Sequence, residues 1–339
     1  MRNLIKKLYF YFLDRAFINR IFLWRQKKGI IILTYHSVVP DDAPILSYEY
    51  RNCVTQQQFQ KQLKFLKRHF KVISLEEAVS LLHSGTLAQR YAVITFDDGY
   101  KNNYQYAFPI LRQEKIPATF FLTTGLIDKN DCLWTDWITY LLFHSKNSVI
   151  ELNLPDHHFH FELSDENSRI RASVMLRSFL KMSSSDNLQN VLNQLREQVG
   201  EVLPPVQAAP DRYAFLNWQE VKAMDNEGMD IGAHTHNHLL LRMLSDQQVW
   251  YELDTSKKLI EEKLGKPCLH FAYPNGGEKD FNEKHIAALK ALQFKAAVTQ
   301  IPGINYSDEN LFCLKRINIS NKMTLSVFKA YIAGSYRKK

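Results

Sequence analysis

The chain has 339 residues, 45% of them hydrophobic, and carries a formal charge of +8. That is ample for a buried core in one large or two ordinary domains, and it excludes a disordered or collagen-like chain. Eight basic residues against Asp14 alone fall within residues 1–28, so the other 311 residues are close to neutral, which argues against a nucleic-acid-binding body.

Residues 1–28 are expected to form a basic, partly amphipathic arm. The longest uncharged run, Leu8 to Leu13, is too short to span a bilayer, and Asp14 and Arg15 break the pattern of a secretory signal. Much of the apolar content gathers on one side of a helical wheel, although Phe10, Phe17 and Trp24 fall on the charged side. The arm suits either peripheral contact with an anionic membrane surface or packing on the domain or a partner. The expected location is cytoplasmic, at the inner membrane face. Cys53, Cys132, Cys268 and Cys313 show no CxxC pairing, so neither a disulfide framework nor a thiolate zinc site is indicated.

From Gly29 onward, GIIILTYH reads as a strand, followed by a helix near 55–70. A second helix, ISLEEAVSLLHSG, has Ser74 and Glu77 spaced as a capping box and ends at Gly85. VITFDD and ATFFLTT are the next strands. This alternation predicts an α/β fold with a parallel sheet or barrel. Residues ~127–212 change character, with an alternating SVIELNLPDHHFHFEL and a helical DNLQNVLNQLREQVG, and are expected to be an inserted α+β segment. The βα rhythm resumes at LNWQEVKAMDNEGMDIGAHTHNH.

Asp97 and Asp98 end the apolar run VITF and precede Gly99. Neighbouring strand residues face opposite ways, so the two carboxylates can share one site only where the backbone turns, at the strand end where parallel folds bind ligands. His234, His236 and His238 recur at spacings of two and four. All three converge on a strand, and the outer pair on a helical turn; either is metal-ligand spacing. One carboxylate of the Asp pair would complete an Asp-His-His set, leaving the other free as a base. His157, His158 and His160 lie in the alternating stretch and are better explained as an exposed hairpin. Trp134, Trp137 and Trp218 could stack on sugar rings, with buried packing as the alternative.

TFDDG followed by a His-Thr-x-x-His motif resembles the polysaccharide deacetylase family, metal-dependent N-deacetylases of the NodB homology type. ATFFLTTG, FAYPNGG and LKRINI extend the resemblance over most of residues 29–320 outside the insertion. It implies a distorted (β/α) barrel of about seven strands over residues 29–339. It also implies that Asp98, His234 and His238 hold a divalent metal, with zinc the default and cobalt or nickel able to fit, while Asp97 is the general base. FAYPNGG departs from the family pattern: Ala272 stands where an arginine orients the base, and Asn275 where an aromatic residue offers its backbone N–H to the oxyanion. Arg316 in LKRINI is the candidate replacement for that arginine and, with Tyr273 and Trp218, is assigned to substrate binding. The family's late histidine motif is absent, and His36 in LTYHSV takes its place as general acid if the barrel is permuted, as in poly-N-acetylglucosamine deacetylases. The expected substrate is an N-acylated, chiefly N-acetylated, amino-sugar glycan or a lipid-linked precursor, with deformylation of a lipid-linked aminosugar as a variant. The rival reading is a glycan-binding barrel that has lost turnover; a two-carboxylate glycosidase is disfavoured, because its carboxylates must stand astride the scissile bond.

Overall fold

The computed structural model describes residues 18–25 and 28–334. Most of the basic arm therefore lies outside the described residues; of it, the helix Ile18–Arg25 packs near the C-terminal helix Leu325–Ala333.

Among the described residues there are twelve strands: β1 (Ile30–Tyr35), β2 (Ser37–Val39), β3 (Cys53–Thr55), β4 (Lys71–Val72), β5 (Tyr91–Phe96), β6 (Thr119–Leu122), β7 (Val149–Leu154), β8 (His157–Glu162), β9 (Asp230–Ala233), β10 (His270–Ala272), β11 (Ala296–Val298) and β12 (Ile317–Asn318). Seven form one parallel path, in the order β11-β10-β9-β6-β5-β1-β12, and β4 joins it alongside β5. A parallel bridge from Val298 to Leu314, just ahead of β12, draws the two edges together. The result is a distorted (β/α) barrel. Strand β1 leads the sequence yet lies beside β12 at the sheet's far end.

Side-chain alternation sorts the strands into two apolar sets. Ile31, Leu33, Tyr35, Ala92, Ile94, Phe96, Phe120, Leu122, Phe271 and Tyr273 face the surrounding helices. Ile30, Ile32, Val93, Phe121, Ala272 and Val298 gather on the concave side, whose base the helix Leu75–Ser84 closes. Phe121 fills this interior because Gly232 has no side chain: a Cβ there would come within 2.5 Å of the ring.

Helix boundaries follow local chemistry. Thr55 and Gln58 form a reciprocal capping box at the start of Gln56–His69. The expected box at Ser74 is half realised: Ser74 accepts from the Glu77 N–H, whereas the Glu77 carboxylate accepts from Lys71 Nζ at 2.8 Å. Gly85 ends that helix with φ 72°, a left-handed conformation suited to glycine.

The chain leaves the barrel after β6 and returns at Leu216. Its two ends lie together, with Asp128 N–H donating to Leu216 O at 3.1 Å and Leu216 N–H to Gly99 O at 3.0 Å. Between them, Trp134–His144, the antiparallel β7–β8 hairpin and helices Glu166–Leu180 and Ser185–Val199 enclose a separate apolar core of Ile138, Leu141, Ile150, Leu152, Leu176 and Leu195. The four cysteines are free.

Candidate active site

The same alternation that builds the barrel aims the polar residues at its rim. In β5, Tyr91, Val93 and Thr95 set the inward phase and Asp97 continues it; in β1, Ile30 and Ile32 set it and His36 continues it. His234 directly follows β9 in register with the inward Gly232. Asp98 would point outward on a continuing strand, but its φ of 76°, followed by Gly99 at 91°, turns the backbone and brings it inward beside Asp97.

Strand β9 stops at Ala233, so the three histidines do not share a strand face. A turn with positive φ at Thr235 (59°) and His238 (57°) swings His238 back toward His234. Asp98 Oδ1 then lies 3.4 Å from His234 Nε2 and 3.3 Å from His238 Nε2. His236 points elsewhere: its Nδ1 is 3.0 Å from Thr124 Oγ1 and its ring stands edge-on to Tyr251.

This donor set fits a cation. The three ligand atoms lie within 4.8 Å of one another, and Asp98 and His234 are buried. Separations of 3.3–3.4 Å are close to the donor–donor edge of a tetrahedral site with bonds of about 2.1 Å. His234 Nδ1 is 2.7 Å from the Ala272 carbonyl, which fixes the ring with Nε2 free for a ligand role. The Asp98 carboxyl is held well below its ordinary range; burial opposes ionisation, but hydrogen bonds from His234 and His238 and the charges of His36 and His238 overcome it. The hairpin histidines 157, 158 and 160 join no such group; His158 pairs with Asn153 and His160 with Glu151 on the surface.

Asp97 serves a different partner. Arg316 Nη1 and Nη2 donate to its two oxygens, each at 2.7 Å, and Gln300 Nε2 adds a third contact at 3.1 Å. Arg316 is fully buried, held by Thr299 O at 2.7 Å and Thr95 Oγ1 at 3.1 Å, with its guanidinium 5.7 Å above Phe121. Burial raises the cost of charging Asp97, yet the Arg316 charge, with His234, the Arg316 hydrogen bonds and His36, keeps its carboxyl below the usual range. Ala272 faces the same interior.

A cavity of about 250 Å³ opens above these groups. His36 lines it with Nδ1 buried and without a hydrogen-bond partner among the described residues, and burial holds its pKa below the ordinary value. Asn275 lines it too, with φ 60°; its side chain accepts from Lys181 Nζ and donates to Asp280, and its backbone N–H has no acceptor among the described residues.

Three assignments to substrate binding are corrected. Arg316 lies behind Asp97 with no exposed surface. Tyr273 takes the outward phase of Phe271, so its ring stacks on Phe281 at 4.1 Å in the helix-facing core and its hydroxyl donates to Phe312 O at 3.2 Å. Trp218 begins the helix Trp218–Asn226 and packs on that core away from the cavity; Trp134 lines the cavity instead.

Gln300 and a buried trio of Tyr100, Asp136 and Arg212 also border the cavity and escape sequence reasoning. Tyr100 Oη donates to Asp136, and Arg212 Nη2 donates to the other Asp136 oxygen at 3.1 Å. Asp136 and Arg212 belong to the insertion, and no short spacing links them to the Asp pair.

Fold and site together define a parallel barrel whose rim sets an Asp-His-His donor cluster beside an arginine-clamped carboxylate. The chain belongs to the polysaccharide deacetylase family, whose model matches residues 84–297. It is 28% identical over 222 residues to the poly-β-1,6-N-acetyl-D-glucosamine N-deacetylase of Staphylococcus epidermidis, covering 61% of this chain and 72% of that one. It is 23% identical over 303 residues to YxkH of Bacillus subtilis, covering 89% and 75%. Among solved structures, Streptococcus pyogenes deacetylase PplD in complex with acetate superposes with a TM-score of 0.58 at 22% identity, covering 88% of this chain and 96% of that one.

Proposed function

We propose that the protein is a divalent-metal-dependent hydrolase that removes the N-acetyl group from an amino sugar of a glycan or glycan precursor. The observation that carries this reading is the division of the adjacent aspartates, Asp98 among the histidine donors and Asp97 in the arginine clamp. Asp98, His234 and His238 would hold the cation, zinc by donor type with cobalt or nickel compatible, which supplies Lewis acidity toward the amide carbonyl and a water. Asp97, kept ionised and oriented by Arg316, takes a proton from the attacking water. The Asn275 backbone N–H donates to the oxygen that becomes negative, and His36 protonates the departing amine, so that water and amide yield acetate and a free amino sugar. Arg316 gives Asp97 an arginine partner although position 272 is alanine, which removes one motive for a barrel without turnover.

Metal content and acetate release test the reading together. Wild type is expected to retain near one divalent ion per chain after dialysis and to release acetate from N-acetylglucosamine oligomers. His238→Ala should lose the ion, whereas Asp97→Asn should keep it and lose roughly 10²- to 10⁴-fold in kcat. Wild type that binds no ion even when one is added back would end the proposal. We also propose that residues 1–28 bring the enzyme to an anionic membrane surface on the cytoplasmic side. Their basic, apolar composition supports this, as do Ile21, Phe22 and Trp24, which stand exposed on the helix Ile18–Arg25.

A further inference from the structure

The carboxylates bordering the cavity are all committed. Asp97 is clamped by Arg316, Asp98 belongs to the histidine donors, and Asp136 is taken by Arg212 and Tyr100. The same cavity is also lined by three cations, Arg51, Arg177 and Lys181, none of which forms an ion pair with a carboxylate among the described residues. Arg51 and Arg177 lie 5.3 and 5.7 Å from the centre of the same Tyr48 ring. Arg177 otherwise donates to Tyr48 Oη and Ser173 O, and Lys181 to Asn275 Oδ1. Arg51 Nη1 is buried with no hydrogen-bond partner among the described residues. Asp280, whose charge reaches Lys181, accepts from Asn275 and Gly277 and pairs with Arg242 at 3.6 Å, and the Glu49 carboxylate accepts from Tyr213 Oη.

Such crowding is costly. Burial, then repulsion from Arg51, lowers the pKa of Arg177 to about 10; burial, then Arg177, lowers that of Lys181 to about 8, with Arg51 and Arg242 pushing the same way and Asp280 opposing. Like charges held together without counter-charge await an anion from outside. A carboxylate offers one charge and one face. Three cations, Arg51 from the segment before β3 and Arg177 and Lys181 one turn apart at the end of the helix Glu166–Leu180, match the several oxygens and higher charge of a phosphate.

We propose that the sugar substrate carries a phosphate ester next to the acetamido group, and that Arg51, Arg177 and Lys181 hold it. This inference rests on the deacetylase reading for the acetamido group and adds the second substituent. The phosphate can come from a phosphodiester within a soluble glycan or from the diphosphate of a lipid-linked sugar. Lys181 links the two halves of the site: it reaches the phosphate wall and, through Asn275, the loop that faces the amide.

Calorimetric titration of the metal-loaded full chain with N-acetylglucosamine 1-phosphate and with N-acetylglucosamine tests the anion site apart from turnover. The phosphate compound is expected to bind at least tenfold tighter, and the advantage should shrink at least fivefold in Arg177→Gln and return in part in Arg177→Lys, which restores the charge and guards against misfolding. Equal affinities, or an advantage that persists unchanged in Arg177→Gln, would overturn the proposal, the latter because the phosphate is then held elsewhere. Acetate release from a soluble phosphodiester-linked oligomer and from a polyprenyl-diphosphate-linked N-acetylglucosamine in detergent identifies the source: faster turnover of either than of a neutral oligomer supports the site. Tight phosphate-dependent binding with no acetate from any of these substrates leaves the anion site standing and removes the deacetylase reading. Acetate release with no phosphate preference does the reverse.

Discussion

Asp97 and Arg316 are a buried pair, and their energetics differ from those of a surface ion pair. Removing one partner strands a desolvated charge, at a cost of roughly 3–5 kcal/mol, whereas replacing both avoids that penalty. Arg316→Met is therefore expected to lower stability by that amount in urea denaturation, and Arg316→Met combined with Asp97→Asn to be more stable than Arg316→Met alone. Equal losses in the two would mean that Arg316 stabilises the fold through Thr299 and Phe121 instead. Lys181 gives a pH test. Its folded pKa of about 8 lies below the ordinary lysine value of about 10.4, so between these pH values the unfolded chain holds a proton that the folded chain has released. Stability from this group rises with pH across that window. Lys181→Met keeps the apolar stem and should stabilise the protein by about 1 kcal/mol at pH 7, with the difference fading toward pH 10.5. The Asp pair and the histidine cluster were legible in the sequence because each sits in one short stretch. Arg316 was legible only as the stand-in for a residue missing at Ala272. Arg51, Arg177 and Lys181 were not legible, since they meet only when the insertion folds over the rim. Tyr273 was misassigned because a motif position says nothing of strand phase, and one residue's step turns a rim side chain into a core one.

Among the elements, the strands of the barrel were readable because buried parallel strands are continuous apolar runs. Strand β12, two residues long, and β4, also two, carry no such signal and are defined by their neighbours. After the Asp pair comes a π-helical turn, Asn103–Ala107, which sequence propensity does not reveal; Asn102 just before it donates to Ser37 Oγ at 3.1 Å and to Asp211 O at 3.0 Å, tying the loop to β2 and the insertion. The insertion has its own core, separate from the barrel's. Leu195→Ala, at a fully buried position of that core, should cost about 2–5 kcal/mol in the insertion. Hydrogen exchange is expected to show faster opening of Ser185–Val199 while the barrel strands keep their protection and the protein its metal. Loss of metal in that variant would show that barrel and insertion fold as one unit.

At the scale of the whole molecule, no helix among the described residues is long and apolar enough to cross a membrane. The proposed attachment rests on residues 1–28, whose charge contrasts with the nearly neutral remainder. The full chain is expected to co-sediment with vesicles containing anionic lipid, to release at high salt, and to ignore neutral vesicles; a chain lacking residues 1–17 should bind more weakly. Equal binding of both chains would assign the contact to the folded body.

Asp128 and Leu216 meet beside Gly99, so the inserted segment leaves and rejoins the barrel at one point, one residue beyond the Asp pair. The residues proposed to react lie in the barrel, and two of the three cations of the proposed anion site, Arg177 and Lys181, in the insertion. Natural variation could thus exchange the segment as a cassette, redirecting the same hydrolytic rim to differently charged glycans without altering a single strand beneath it.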